Sequence, residues 1–407
     1  MHAVAALAMA AVTALHPAPD LGHPAPDLGR QVLAPNDGWA AAEGGTTGGS
    51  ADRRPVAVRT RDELAAAVAG DESKIVYVEG PIDVGGKTCA EYADPAYDLQ
   101  KYLEAYDPAH WTGPASGPLE EARKASVANQ RQDVVITIGS NTTLVGRRGA
   151  SLTGLGLMID KADNVIVRNL AVHDAYDCFP VWSGGDWKTD YDNLMVSEST
   201  HVWVDHVTLT DGDRPDRNEP FYFGKRFLHH DGLLDVVRGS DLVTISWSKF
   251  SGHDKSLLWG NTDDPQHDAG KLRVTLHHNE LSGLNQRAPR VRHGQVHVYN
   301  NFYVVPPGTD YQYSWGVGVN SAIYAQNNAF RGTTADKIIY GWGGTAIHEE
   351  GTLVNGRPVS VLAAYNAAKD PDLGPDVGWT PRLRGRVDPA RAVPALVKAF
   401  AGAGRIS

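Results

Sequence analysis

Aspartates gather in two short stretches near the middle of the chain. Asp190 and Asp192 lie two residues apart, and Asp231 and Asp235 lie four apart. In an extended backbone both spacings put the side chains on one side. Carboxylates brought together from neighbouring strands suit Ca²⁺, which takes about six to eight oxygen ligands. The pattern predicts a calcium site, although aspartates in solvated turns would look the same.

Positive charge is concentrated a little further along the chain. Arg287, Arg290 and Arg292 fall within six residues, around Pro289, in a chain whose formal net charge is −10. Guanidinium groups bind carboxylates in a two-pronged geometry, and proline shapes the backbone by fixing φ. The segment therefore predicts an anion site, with Lys255 as a further positive candidate. A surface cluster paired with acids of the same chain is the alternative.

Composition excludes several classes of protein. The net charge argues against a general nucleic-acid binder. No apolar stretch beyond the first 15 positions approaches the 18 residues of a membrane span. Only Cys89 and Cys178 are present, so a disulfide-dense scaffold is excluded, while a single bridge and two buried thiols both remain open. The pairs His229–His230 and His277–His278 are expected to be structural, because adjacent strand residues point to opposite faces.

Short β-type runs must position these side chains. β-Branched and aromatic residues recur at period two, for example with Leu272, Val274 and Leu276 on one face. Most runs have no helical segment between them, which disfavours a doubly wound α/β fold. The predicted strands are 134–138, 165–167, 202–204, 242–246, 272–276, 296–298 and 322–325.

Asparagine closes several of the runs and gives the repeat length. Asn279 and Asn301 are 22 residues apart and Asn301 and Asn328 are 27 apart, with Asn169 at an earlier run. A repeat of this length favours an all-β parallel β-helix in which asparagine side chains stack at the turns. A β-sandwich is the competing fold, but Asn-Gly hairpin turns are scarce.

The ends of such a solenoid must be covered. Thr60 and Glu63 form a capping-box pattern that predicts a helix over 60–70 at the first end. Residues 391–401 are predicted to cap the other end. The segment 87–132 is predicted to be a partly helical insertion that lies over the flank of the solenoid.

The N-terminus resembles a processing segment. Residues 3–15 form an apolar run typical of a secretory signal, and a Pro-rich heptapeptide then occurs at 16–22 and again at 23–29. We therefore expect a secreted protein. The predicted division is a signal-like segment and linker over 1–35, and the β-helix domain over 36–407.

Four runs resemble pectate lyases of polysaccharide lyase family one. They are VWVDH at 202–206, HHDGLLDVVRGSDLVTIS at 229–246, GHDKSLLWGN at 252–261 and TLHHNELSGLNQRAPRVRHGQVHVYNN at 275–301. The resemblance extends from about residue 38 to about 385. It implies a right-handed, single-stranded parallel β-helix with short capping helices.

The resemblance also implies roles for the charged residues. Matching the family's motifs residue by residue gives calcium ligands, a catalytic base and groups that hold substrate carboxylates. Arg290 of the same motif is included with the substrate-binding residues, and Asp186 in the loop 182–188 is left unassigned. The calcium ligands are Asp192, Asp231 and Asp235 with Asp190 as a weaker fourth, the base is Arg287, and the carboxylate-holding residues are Lys255 and Arg292.

The implied activity is calcium-dependent β-elimination of polygalacturonate, the pectate of plant cell walls, to unsaturated oligogalacturonates. A monomer with no nucleic-acid or membrane partner is expected. Three alternatives remain: a pectin lyase on methylated polymer, a hydrolytic polygalacturonase, and a non-catalytic β-helix binding protein. Convergence of Arg287, Lys255 and Arg292 on the acidic cluster would favour the lyase.

Overall fold

The chain coils repeatedly through three parallel sheets, as a computed structural model of residues 27–407 describes it. Strands from successive turns of the chain stack in register within each sheet. This arrangement is a parallel β-helix, so the predicted right-handed all-β solenoid is confirmed.

The strands fall into three sheets and two hairpins. Sheet 1 contains Val56–Val58, Lys74–Val78, Thr142–Gly146, Asp163–Arg168, Thr200–Asp205, Asp241–Ser246, Val274–His277, Gln295–Tyr299, Ala322–Gln326 and Ile347–Glu350. Sheet 2 contains Val135–Ile138, Gly156–Asp160, Leu194–Ser197, Leu234–Val237, Leu258–Trp259, Arg290–Val291, Trp315–Gly318 and Ile339–Trp342. Sheet 3 contains Pro81–Asp83, Ser151–Thr153, Ala171–His173, Thr208–Thr210, Lys249–Lys255, Glu280–Gln286, Phe302–Val304, Ala329–Arg331, Leu353–Val354 and the antiparallel Arg357–Pro358. The hairpins pair Val181–Ser183 with Asp186–Lys188 and Phe221–Tyr222 with Lys225–Arg226.

One apolar core runs through the inside of the coils. Leu272, Val274 and Leu276 are fully buried in it, as their shared face predicted. All seven predicted runs contain strands. The alternation of apolar and polar residues identified these strands, because one face of each strand packs inside the solenoid while the other face meets a second layer or solvent.

An asparagine ladder stabilises one set of turns. The Asn301 side-chain oxygen accepts from the Asn279 backbone N–H at 3.0 Å, and Asn328 does the same for Asn301. The predicted stack is therefore confirmed for these three residues. Asn169 is not part of it: its φ of 55° puts it in the left-handed turn position, and its side chain binds Gly146 and Gly404 instead.

The first end of the solenoid is covered by a helix as predicted, whereas the second end is not covered by the predicted segment. Helix Arg61–Val68 begins at Thr60, whose hydroxyl accepts from the Glu63 N–H, but the Glu63 carboxylate binds the Arg59 N–H rather than closing the box. The predicted second cap was wrong. Helix Val393–Phe400 packs along the flank on sheet 3, because its buried valines meet Phe302 and Ala329. Helix Val361–Asn366 covers the last coil instead.

The predicted insertion is helical and tied to the solenoid. Its helices are Cys89–Tyr92, Leu99–Ala105 and Pro118–Val134. The Arg123 guanidinium donates to the Phe179 carbonyl at 2.6 Å. Cys89 and Cys178 form a disulfide, which decides between the bridge and the free thiols.

Replacing Cys178 with serine is expected to lower the free energy of unfolding by about 2–5 kcal/mol. The bridge spans 89 residues, so its loss frees a long loop in the unfolded chain. Thermal unfolding of the variant measures the loss. The double variant Cys89→Ser, Cys178→Ser should match the single one, and an unchanged Tm in both would contradict the expectation.

The first described residues also pack on the β-helix. Leu28 contacts Ile75 and Tyr77, and Leu33 is buried against Trp203. The boundary predicted at residue 35 therefore falls within packed chain, whereas the apolar run and the first heptapeptide lie outside the described residues. Short 3₁₀ helices complete the fold at Leu28–Arg30, Trp39–Ala41, Asp216–Asn218 and Ala335–Lys337. Within residues 27–407 no helix is long and apolar enough to cross a membrane.

Candidate active site

One register row crosses the outer face of sheet 2 and carries chemically different side chains. Asp235 is the neighbour of Leu258 across the parallel pairing, followed by Arg290, Gly316 and Tyr340 on successive strands. The residues on either side of this row, such as Leu234, Val236 and Val291, are buried inside the coil. The sheet thus presents acidic, basic and aromatic groups along one outer face.

The acidic cluster meets around a glycine. Both side-chain oxygens of Asp192 are buried and have no hydrogen-bond partner. A Cβ added to Gly232 would lie 2.5 Å from Asp192 Oδ1 and 2.8 Å from Asp235 Oδ1, so the two carboxylates face one space. Asp231 is the half-buried neighbour of that glycine, while Asp190 is exposed.

Burial raises the pKa of Asp192, Asp231 and Asp235 above the ordinary value for a carboxyl. Burial raises the pKa of Asp192 strongly, and the charges of Asp235 and Asp231 raise it further. Burial and then the charge of Asp231 raise the pKa of Asp235 to about 7. Burial also raises the pKa of Asp231, against the opposing effect of Lys255 and Arg287. Buried acceptors without donors, beside like charges, suit a bound cation.

The protein alone does not complete a metal site. Among the described residues, no three acidic, histidine or cysteine side chains already surround one point. Asp192 and Asp235 supply a partial cradle of hard oxygen ligands beside Asp231. The donor set therefore fits an oxygen-seeking ion such as Ca²⁺, with the remaining ligands coming from water or substrate.

The contribution of Asp235 to stability without metal is expected to fall as the pH rises between about 4 and 7. The folded-state pKa of Asp235, about 7, lies above the ordinary value of 3.8, so the folded protein binds more protons than the unfolded chain in that window. Thermal unfolding in a chelator, compared between the wild type and Asp235→Asn, measures this. Asparagine keeps an acceptor for the Leu258 N–H but does not titrate, so the Tm of the variant should fall less steeply with rising pH. Parallel curves for the two proteins would contradict the expectation.

Lys255 and Arg287 lie beside the acidic cluster. The Lys255 ammonium is mostly buried and 3.4 Å from the Asp186 carboxylate. Arg287 has a left-handed backbone, with φ of 57°, and its buried Nε has no hydrogen-bond partner. Within residues 27–407, no carboxylate lies within ion-pair distance of its guanidinium. Its positive charge opposes the raised pKa of Asp192, Asp231 and Asp235, as expected for a neighbour of all three.

Arg292 and Arg290 lie further along the same segment. Arg292 Nε is 2.5 Å from Asp263 Oδ1, and its Nη1 donates to the Gly260 carbonyl at 2.8 Å. The Arg290 guanidinium stacks 4.0 Å from the Trp342 ring centroid. Burial, followed by the charge of Arg292, lowers the pKa of Arg290 to about 10. Of the four predicted cationic site residues, Lys255 and Arg287 thus adjoin the acidic cluster. Arg290 lies over Trp342, and Arg292 directly follows the strand Arg290–Val291.

Buried histidines contact the site residues. The sequence predicted only a structural role for His229 and His230, and it did not identify His253. His253 Nδ1 lies 2.5 Å from Asp211 Oδ1 and its Nε2 lies 3.0 Å from the Asp231 backbone carbonyl. Although burial lowers it, the hydrogen bonds that the His230 ring donates to Asp174 and Asp216 raise the pKa of His230 to about 10. The HHD and GHDKS strings could have signalled these residues, because they adjoin Asp231 and Lys255.

An open groove of about 860 Å³ begins at Lys255. Its lining includes Asp186, which the sequence left unassigned, together with Arg217 and Lys225 from the segment that carries the second hairpin. The groove gives an extended ligand access to the charged face.

The chain is similar in sequence and in structure to proteins that are described as pectate lyases. The family model described as pectate lyase matches residues 113–351. The chain is 43% identical to the pectate lyase of Bacillus subtilis over 93% of this chain and 94% of that protein. It is 35% identical to pectate lyase E of Dickeya dadantii, covering 82% of this chain and 77% of that protein. A solved pectate lyase bound to hexasaccharide superposes with a TM-score of 0.89 at 42% identity, over 94% of this chain and all of that one.

Proposed function

This chain belongs to the pectate lyase family, and on that premise we propose that it cleaves polygalacturonate by calcium-dependent β-elimination on the outer face of sheet 2. It is a polysaccharide lyase. The observation that carries the proposed site is the meeting of the unpartnered, buried Asp192 carboxylate and its acidic neighbours with Arg287 and Lys255.

Asp192, Asp231 and Asp235 are the proposed calcium ligands, with the exposed Asp190 as a weaker fourth. The support is the pair of unpartnered Asp192 oxygens and the Asp235 oxygen that faces them across Gly232. A bound Ca²⁺ would neutralise substrate carboxylate charge and make the C5 proton more acidic.

Lys255 and Arg292 are the proposed partners of substrate carboxylates, with Arg290 beside them. In the free protein Lys255 pairs with Asp186 and Arg292 with Asp263. Asp263 is 63% exposed, so a uronate carboxylate can replace it without leaving a buried charge. Exchange of each pair for a substrate carboxylate fixes the sugar rings and keeps the largely buried cation paired with a negative charge.

Arg287 is the proposed base that takes the proton from C5. The support is positional: the buried Nε has no hydrogen-bond partner, no carboxylate among the described residues pairs with the guanidinium, and its charge lies close enough to Asp192, Asp231 and Asp235 to oppose their raised pKa. The proton leaves C5 toward Arg287 as the C4–O bond breaks, and a C4=C5 double bond forms in the sugar that loses the proton. The glycosidic oxygen leaves with the other part of the polymer and takes a proton from water.

The remaining assignments concern the whole protein. We place the protein outside the cell as a monomer, with a leader and linker that end before Leu28, since Leu28 and Leu33 already pack on the β-helix domain. The Cys89–Cys178 disulfide supports export, because such bridges persist in oxidising compartments.

One assay tests the function. Purified protein on polygalacturonate with Ca²⁺ should produce ultraviolet-absorbing unsaturated ends, and methylated pectin should be a poorer substrate. New reducing ends without absorbance would indicate a hydrolase. Binding without any cleavage would indicate a non-catalytic β-helix protein.

A further inference from the structure

Two exposed aromatic rings stand beside the site arginines on sheet 2. Tyr340 is 43% exposed and Trp342 is 37% exposed. The large aromatic side chains exposed in residues 27–407 are these two together with Phe221 and Phe400. Tyr340 and Trp342 belong to one strand, and their ring centroids are 4.9 Å apart. We call this pair the aromatic platform.

The platform is held rigidly from below. Tyr313 is buried, and its ring centroid lies 5.4 Å from Tyr340 and 6.2 Å from Trp342. Ile339, on the same strand, is buried in the core of the solenoid. The rings are therefore preorganised, so a ligand that contacts them loses little affinity to the ordering of side chains.

Glycines on the intervening strand let the Tyr313 ring and the side chains of Arg290 and Arg292 pack close to the sheet. Gly316 lies between Arg290 and Tyr340 in the register row, and Gly318 lies opposite Trp342. A Cβ on Gly316 would come within 3.0 Å of Arg290 Cγ, and one on Gly318 within 2.9 Å of Arg292 Cγ. The strand that carries the two glycines lies between the Arg290 strand and the platform strand, so these two strands are about 10 Å apart.

The neighbouring charge identifies the chemistry of the ligand. The Arg290 guanidinium lies over Trp342 and has no ion-pair partner among residues 27–407. A uronate residue combines an apolar C–H ring face with a carboxylate, matching the exposed parts of the Tyr340 and Trp342 rings beside a guanidinium that has no ion-pair partner.

We propose that Tyr340, Trp342 and Arg290 form a subsite that binds one galacturonate residue of the polymer about two strands beyond the arginine segment. The proposal rests on the proposed function and deepens it, since this subsite would favour long substrates over short ones. The platform contributes binding and takes no part in proton transfer.

Kinetics with oligogalacturonates of increasing length test the subsite. Trp342→Ala and Tyr340→Ala should each raise KM for the polymer by about 3–10-fold, as expected for loss of one aromatic contact, with kcat within about twofold. KM for the shortest cleaved oligomer should stay unchanged. Trp342→Phe keeps a ring, so its KM for the polymer should lie between those of the wild type and Trp342→Ala. Phe400→Ala, an exposed ring on the flank helix, is the matched control and should behave as wild type.

Two results would overturn the subsite. One is an unchanged polymer KM in both alanine variants, and the other is an equal rise of KM for short and long oligomers. Failure of the proposed function would look different, because the wild type itself would then release no unsaturated product. Calorimetric titration of wild type and Trp342→Ala with polygalacturonate would still test the subsite, and equal affinities would reject it.

Discussion

Replacing Arg287 with lysine is expected to lower kcat by about 10²–10⁴-fold with little change in KM. Lysine keeps the positive charge, so attraction of the polymer should survive. It lacks the planar guanidinium and moves the nitrogen, so a base positioned at C5 is lost. The left-handed backbone at Arg287, with φ of 57°, fixes where the side chain begins, and lysine cannot compensate by shifting the chain. Initial rates of unsaturated product formation at saturating Ca²⁺ measure the effect.

Arg292→Lys is the matched comparison for this result. Arg292 makes two directed contacts, to Asp263 and to the Gly260 carbonyl, which suits a residue that holds a carboxylate. Its lysine variant should raise KM at least as much as it lowers kcat. Near-wild-type kcat in Arg287→Lys would make Arg287 a binding residue, and the base would have to be another group on this face.

The strands were predictable because the solenoid imposes a local rule on each of them. Leu272, Val274 and Leu276 alternate with polar residues since every coil repeats the same inside and outside. The asparagine ladder was predictable for the same reason, as its 22- and 27-residue steps are single coils. The prediction that Asn169 belongs to the ladder was wrong, because the neighbouring left-handed turn position also favours asparagine.

Contacts between distant segments could not be read from the sequence. His253 meets Asp211 across 42 residues, and nothing local to either residue fixes that pairing. The helix Val393–Phe400 has the composition of an end cap, yet which apolar surface it covers depends on Phe302 and Ala329 from two separate coils. Site residues carried by a shared motif were easier to predict than the aromatic platform, whose importance depends on register with Arg290.

Removing calcium is expected to abolish turnover, and adding it back should restore activity. The cluster of Asp192, Asp231 and Asp235 would otherwise repel a polymer that carries a carboxylate on every sugar. Activity on polygalacturonate after exhaustive chelation, and after titration with Ca²⁺, measures this dependence. Full activity in protein confirmed to be free of metal would exclude the calcium mechanism.

Asp192→Asn separates calcium binding from folding, because its two expected effects have opposite signs. The loss of one charged ligand should weaken Ca²⁺ binding by at least about 10²-fold, as measured by calorimetric titration. The same change removes a buried carboxylate whose oxygens have no partner and whose pKa is raised by burial and by Asp235. Since such a charge opposes folding, the metal-free variant should melt at a higher temperature than the metal-free wild type at pH 8. Asp160→Asn, at the end of strand Gly156–Asp160 in the same sheet, is the control and should alter neither quantity. A variant that lost both affinity and stability would mean that Asp192 supports the fold and is not a calcium ligand.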